Sequence, residues 1–481
     1  MLRDNHCANG RALLVLLDRT LIALSAGTTI ILFAWLLYYS SYSLDLRDEG
    51  FWLNFIANPF TYTINVPPTL FGFLYHWPYQ WAGGDIAGLR RANVTITMAL
   101  GWILSFLVIR RLWTVAWPHA AVLSAGIASL ALAAFPTLML LTPNYYTLNI
   151  QSVLMVMIGL LLADRPGRMR EVLVSILVGV GGWCCFMARP ASAAAIALVV
   201  MLYVVILSRK SLLPMLGAAL VAFALLISTS YLIDGGITAF LTRMVNGVEG
   251  ITLLGAGYKV SRIFEIYWLT TSRWQLAIAL LMASALLLSI SMGSTHRLLP
   301  PLALKAVLIV TIAIALLGID PISIEPSTLL LVPVFTCLGA MFYREGMVLR
   351  TQTPTSIALA LTFLVLPHLL RLGSISSYWG SVSLAALFWM LAVVAFLSPL
   401  AQEGRSVAAL VPLTVLAQLL TASVVNAGIL KGWRQVKICA LIPLSRPCRV
   451  VQNWCCRTPS TTIWPRPEPM LVQPALKSVP R

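Results

Sequence analysis

The amino-acid sequence predicts an all-α fold, a polytopic transmembrane helix bundle of about 11 to 13 spans with interfacial helices in its first outward loop. Three observations predict it. Hydrophobic residues make up 59% of the 481 residues and charged residues only 10%. With a mean hydropathy of +0.88, too little polar surface remains to keep a globular body in water. Apolar runs of about 18 residues or more, the length that crosses a bilayer as a helix, recur from Leu21 nearly to Leu430. Basic residues fall mainly in short junctions at regular intervals, as the excess of Lys and Arg in cytoplasmic loops requires.

Taken in order, the predicted helices run near 20–42, 93–109, 119–136, 148–163, 171–188, 192–207, 212–232, 274–292, 302–318, 327–343, 355–370, 380–398 and 407–428. The first exceeds a signal-peptide apolar region and has no small-residue cleavage site after it, so it reads as a retained helix. Alternate junctions carry Arg3, Arg11 and Arg19, then Arg110 and Arg111, Arg165, Arg168 and Arg170, Arg209 and Lys210, Arg297 and Lys305, Arg344 and Arg350, and Arg405. Placing all of them in the cytoplasm puts the amino terminus inside. Two long loops, 43–91 and 233–273, then face outward, and long loops on a rigid scaffold are where chemistry concentrates. Residues 1–430 form the bundle. Beyond Lys431 the chain is rich in Pro, Cys and Arg without helical or strand period, so 431–481 reads as a disordered tail, a composition that also fits a translated frameshift.

The formal charge of +17 would suit nucleic acid, but its distribution over junctions points to membrane lipids as the partner and to no nucleic acid. Among the eight cysteines, Cys184, Cys185 and Cys337 lie inside apolar runs and no paired CxxC occurs, so neither a redox role nor a zinc clamp follows. The sequence holds no Gly-rich phosphate loop, nucleophile elbow or HExxH. No strong internal repeat is present, which weakens a transporter reading.

The most informative stretch is Asp45-Leu46-Arg47-Asp48-Glu49-Gly50-Phe51-Trp52-Leu53-Asn54, just past the outer end of the first helix. A carboxylate at the membrane surface beneath aromatic side chains is suited to take a proton from a hydroxyl, while a neighbour orients substrate or holds a divalent metal ion, the one candidate cofactor. Acids near a helix end are also often merely solvated. Phe51, Trp52, Phe55, Phe60, Tyr62, Phe71, Phe73, Tyr75, Trp77, Tyr79 and Trp81 follow, a density typical of interfacial segments. Pro59, Pro67, Pro68 and Pro78 divide the loop into one or two short helices expected to lie along the membrane.

With Asp48 and Glu49 in the first outward loop, right after the first helix, the sequence resembles the C-type glycosyltransferase superfamily over about residues 21–210. That superfamily includes protein mannosyltransferases and enzymes using dolichyl- or undecaprenyl-phosphate sugars. The resemblance implies a polyprenyl-phosphate-linked sugar donor, a glycan, lipid or protein acceptor, and a multi-pass site in the cell inner membrane facing the periplasm. It further implies Asp48 as catalytic base and Glu49 in support.

Other candidates come from the residues themselves. In Thr142-Pro143-Asn144-Tyr145-Tyr146-Thr147, Asn144 and Tyr145 either meet sugar hydroxyls and ring faces or form a capped turn with an interfacial anchor. Arg189, before Pro190, is a cation at the outer end of a span, where it either clamps a donor phosphate or snorkels to a headgroup. Arg243 and Arg262 in the second loop either close over that phosphate or belong to an interfacial helix. His76 is a candidate acid or base or a packing residue. Two further functions compete: a polymerase or ligase of the O-antigen type, which relies on outward Arg and His, and a lipid or solute transporter, for which the spans hold few ionisable residues.

Overall fold

A computed structural model describes residues 2–42, 48–60, 69–135, 141–163, 167–207, 212–253, 265–292, 299–317, 325–342, 346–374, 377–403 and 406–427. The predicted tail 431–481 and Arg262 lie outside them. The chain is an all-α polytopic bundle. Among the described residues eight helices are long and apolar enough to cross a membrane and five shorter ones are apolar, and together they follow the predicted runs one for one.

α1 (Leu2–Tyr39) leads into the first outward loop, which carries α2 (Asp48–Ala57) and α3 (Phe71–Trp81). α4 (Ile86–Leu112) and α5 (Trp117–Ala128), the latter continued by a tight turn Ser129–Ala133, complete the first group. Then come α6 (Tyr145–Ala163), α7 (Arg168–Ala188), α8 (Pro190–Leu207) and α9 (Leu212–Asp234). α10 (Ile237–Leu253) lies in the second outward loop. The remainder is α11 (Arg273–Met292), α12 (Leu299–Leu316), α13 (Pro326–Met341), the single turn α14 (Met347–Arg350), α15 (Pro354–Arg371), α16 (Tyr378–Ser383), α17 (Ala386–Phe396) and α18 (Ser406–Ala427).

Burial sorts these helices by sequence. α17 is apolar on every side and is enclosed by the bundle, with Phe388 and Trp389 fully buried and Phe388 stacked on Phe363 of α15 at 6.2 Å. α9 exposes Leu213, Leu216 and Leu220, which face lipid at no cost because hydrocarbon solvates them as well as a protein core does. α6 packs along α7, and α7 along α9. α6 buries Asn149, Gln151 and Ser152, as α18 buries Gln418 and Asn426. Polar groups inside a membrane need partners within the protein, and those of α6 find them under the outer loops.

The ends of the helices divide the bundle. The C-terminal ends of α1, α7 and α15 meet the N-terminal ends of α4, α6 and α8 at one end, as the bonds of Arg90 and Leu370 show. Arg110, Arg111 and Gln352 make their contacts at the other. Arg110 and Arg111 close α4 at the end away from Arg90, and Arg168 and Arg170 open α7 at the end away from Arg189, so the end holding Arg90 and Arg189 reads as the outer one by the positive-inside rule.

The first loop is not a flap on the surface. Phe55 of α2 sits against Phe71 at 5.3 Å and Phe73 at 5.8 Å, and the Leu70 amide donates to the Met187 carbonyl at 2.8 Å. A Cβ at Gly72 would lie 2.5 Å from the Phe55 ring and 2.7 Å from its carbonyl oxygen, so only glycine lets α3 approach α2 this closely. The aromatic run thus splits in two: Trp52, Phe55, Phe71 and Phe73 are buried against the bundle, while Phe51, Trp77 and Trp81 stay exposed.

Candidate functional site

Asp48 and Glu49 have opposite surroundings because successive helical residues point about 100° apart. Glu49 is 2% exposed. Its Oε1 accepts from Arg90 Nε at 3.0 Å, from Arg90 Nη2 at 2.6 Å and from the Thr142 hydroxyl. Arg90, in α4, also donates through Nη1 to the carbonyls of Ser40 at 3.1 Å and Tyr42 at 3.0 Å. One ion pair therefore joins the end of α1, the start of α2, α4 and the turn before α6. Glu49 positions the loop. Asp48 is exposed at the head of α2, where the helix dipole favours a negative charge, and lies within electrostatic range of Tyr145.

Asn144 is fully buried and is the cap of α6. Its Oδ1 accepts the amides of Tyr146 at 2.8 Å and Thr147 at 3.1 Å, and its Nδ2 donates to the Thr142 carbonyl at 3.1 Å. Of the two roles open to it in sequence, the geometry shows the turn, with the side chain fully buried and its Oδ1 engaged by two backbone amides. Asn144→Ala should cost about 1 kcal/mol, the usual loss of a good N-cap, read as a lower denaturation midpoint in detergent. An unchanged midpoint would speak against the cap.

His76 is likewise local. Its Nδ1 is 2.8 Å from the Ile56 carbonyl, which only accepts, so the ring donates there and ties α3 to α2. Tyr75 donates to Gln151 Oε1 at 3.2 Å, and Gln151 Nε2 continues to Asn93 Oδ1 at 2.8 Å and Thr97 at 2.8 Å. Burial pushes the Tyr75 phenol far above its ordinary range, so it stays a neutral donor. The chain supports the floor of the outer loops.

Arg189 occupies the break between α7 and α8. Pro190 forces the break, since a residue before proline is driven out of helical backbone, and Arg189 has φ −157° and ψ 107°. The guanidinium turns inward: the residue is 5% exposed, 4.8 Å from the Tyr145 ring centre and 4.3 Å from that of Tyr146. Nη1 donates to the Leu370 carbonyl at 2.9 Å. Nη2 is buried without a hydrogen-bond partner, and among the described residues no carboxylate forms an ion pair with Arg189. Tyr145 is half-buried, with Trp52 edge-on at 5.9 Å.

The far wall is the end of α15. The Leu370 carbonyl accepts from Asn149 at 3.0 Å and Ser192 at 3.2 Å besides Arg189. Gly373, at φ +85°, turns the chain so tightly that a Cβ there would lie 3.3 Å from that of Ala191. Arg371 is 2% exposed and 5.0 Å from the centre of the Tyr378 ring. The Tyr378 hydroxyl is 2.8 Å from His368 Nδ1, and burial holds that phenol above its usual range. His368, Arg371 and Tyr378 were not candidates in sequence. The signal for Arg371 was the one used for Arg189, a cation at the outer end of a span.

Arg243 stands apart. Its Nε donates to both Asp234 oxygens at 2.9 Å and its Nη2 to Oδ1 at 2.6 Å, so its charge is matched at the α9–α10 corner. Among the described residues no three His, Cys, Asp or Glu side chains converge as metal ligands. Between α7, α8 and α9 runs an apolar cavity of about 820 Å³, lined by Trp183, Phe186, Ala194, Val200 and Phe223, and Pro190 stands at its outer end. Comparison with protein-family models, curated proteins and solved structures returns no match, so the functional reading rests on this geometry.

Proposed function

We propose that the protein is a membrane glycosyltransferase that moves a sugar from a polyprenyl-phosphate donor to an acceptor on the outer, periplasmic side of a cell inner membrane. The observation that carries the reading is Arg189, a buried guanidinium whose Nη2 has no hydrogen-bond partner, stacked on a Tyr145 that lies within electrostatic range of Asp48. A buried donor left over is expensive, and a lipid phosphate is the anion a membrane supplies.

In this reading the donor arrives laterally, its chain in the apolar cavity beside Pro190 and its phosphate at Arg189. Asp48 takes the proton of the acceptor hydroxyl as that oxygen attacks the anomeric carbon. The carbon–oxygen bond to phosphate breaks, its electron pair leaves with the phosphate, and the configuration inverts in a single displacement. Arg189 stabilises the charge that gathers on the leaving group, which a fixed cation does best where water is excluded.

The test is to incubate membranes containing the protein with radiolabelled polyprenyl-phosphate sugars. Label is expected to move to a glycan, lipid or protein acceptor. Movement of substrate across vesicles without any glycosidic product would favour a transporter instead.

A second reading, a polymerase or ligase of the O-antigen type, is favoured by the His368–Tyr378 contact beside Arg371. There a histidine, not Asp48, would activate the acceptor. Loss of transfer in His368→Gln with transfer intact in Asp48→Asn selects it.

A further inference from the structure

We propose that α10 is a lipid-binding helix lying in the plane of the outer leaflet, its exposed row Ile237, Leu241, Val245 and Val248 covered by the acyl chains of membrane lipids. The inference rests on the membrane bundle alone and stands whether or not the protein transfers a sugar.

The helix divides its residues among three faces. Phe240, Met244 and Gly247 turn toward the bundle, Phe240 and Gly247 buried and Met244 half-buried. Thr238, Thr242, Asn246 and Glu249 form an exposed polar row. Between the two run Ile237, Leu241, Val245 and Val248, exposed at 46%, 58%, 56% and 45%. Positions spaced in this way share one side of a helix. Four aliphatic side chains in a line make a continuous patch, and such a patch marks a contact in a way that scattered apolar surface residues do not.

The neighbours of α10 fix the depth of that patch. Phe240 stacks on Phe186 at 6.4 Å with the two rings 27° apart, and Phe186 belongs to the last turn of α7, one of the helices long enough to span. Trp183 of α7 donates to the Thr229 hydroxyl of α9 at 3.0 Å, so the outer ends of these two helices are level. Gly235 and Gly236 alone separate α9 from α10, and Gly235, at φ +72°, makes the corner in a conformation that favours glycine. Arg243 braces the corner by binding both Asp234 oxygens and reaches the Phe73 ring of α3 at 5.8 Å. α10 therefore runs from α9 past the outer end of α7 to α3, at the height of a span's last turn rather than above it in water.

Continuity with the lipid-facing side of the bundle names the occupant. Leu216, Leu220 and Phe223 of α9 are exposed to lipid, and Tyr231 and Leu232 at its outer end carry the same surface on to Ile237. A tyrosine at the end of a span is the usual marker of the membrane boundary. Headgroup charge contributes little. Arg243 is the one basic residue of α10 and Asp234 matches it at 2.6 Å, whereas helices held by anionic headgroups are rich in Lys and Arg on the polar face. The attraction is apolar and holds for zwitterionic lipid. Because Phe186 also lines the apolar cavity between α7, α8 and α9, the lipid held by α10 adjoins the outer end of that cavity.

The test labels Leu241→Cys and, separately, Thr242→Cys with bimane in the full chain, reconstituted in phosphatidylcholine vesicles. The natural chain, carried through the same labelling, gives the background from its own cysteines. Lipid brominated near the glycerol end of its acyl chains should remove about half of the fluorescence of Leu241→Cys and little of that of Thr242→Cys, since a helix of this kind sinks only its apolar face, by about 5 to 10 Å, below the headgroups. Iodide in the water should do the reverse. Bromine at the chain terminus should quench Leu241→Cys less, and phosphatidylglycerol mixed into the vesicles should change nothing. Iodide quenching at both positions places the row in water, and quenching of Leu241→Cys by neither agent places a second copy or another segment of the chain over it. Either result overturns the proposal. Equal quenching from the chain terminus overturns the in-plane position, and quenching that appears only with phosphatidylglycerol overturns the apolar mode of binding.

Discussion

Arg90→Met is expected to destabilise the folded protein by about 3 to 5 kcal/mol, because removing one partner of a buried ion pair leaves the other charge uncompensated. Both side chains are 3% exposed. The substitution strands the Glu49 carboxylate and unties the carbonyls of Ser40 and Tyr42 together with the Thr142 hydroxyl. The loss is larger than that of the Asn144 cap because it opens the contact among α1, α2, α4 and the start of α6 at once. Denaturation in detergent, followed by Trp fluorescence, reads it as a lower midpoint. Added salt should leave the natural pair unaffected, since buried charges are poorly screened. Replacing both partners, Arg90→Met with Glu49→Leu, should recover part of the stability, as uncharged side chains carry no desolvation penalty. A single variant as stable as the natural protein would mean that Glu49 and Arg90 do not hold the loop.

The helices were legible because apolar runs of bilayer length write themselves directly into sequence. The same signal blurs where a helix breaks without losing hydropathy. The predicted helix at 119–136 resolves into α5 and a tight turn, and that at 380–398 into α16 and α17. The first loop showed its acids, aromatics and prolines, hence α2 and α3, but not which acid is buried. That depends on Arg90 and Thr142, 41 and 93 residues away from Glu49 along the chain, and no local spacing encodes such a partner. Asn144 carried two readings in sequence for a related reason: a capping residue and a sugar-binding amide have the same side chain and differ only in what faces it. Arg371 went unread because it closes a predicted span, where a basic residue passes for an ordinary flank until the helix direction is set against it. Once α7 and α15 are seen to end side by side, Arg189 and Arg371 become neighbours.

The opposite behaviour is expected of Asp48. Asp48→Asn should lower sugar transfer by about a hundred- to ten-thousandfold, the usual contribution of a positioned general base, with little change in folding. The residue is exposed and enters no ion pair among the described residues. Asparagine keeps its shape, and loss of its charge at the helix start costs at most about 1 kcal/mol. The kinetic split is as informative as the size of the loss. A base acts only as the proton moves, so kcat should fall while KM for the lipid donor holds. Arg189→Gln should instead weaken donor binding, because a guanidinium that meets the phosphate does so before and during transfer. Glu49→Gln provides the contrast within the same two-residue motif: it should lower the denaturation midpoint, and lower transfer only as far as the loop loosens. Full activity in Asp48→Asn would remove Asp48 as the base and favour the reading in which His368 takes the proton.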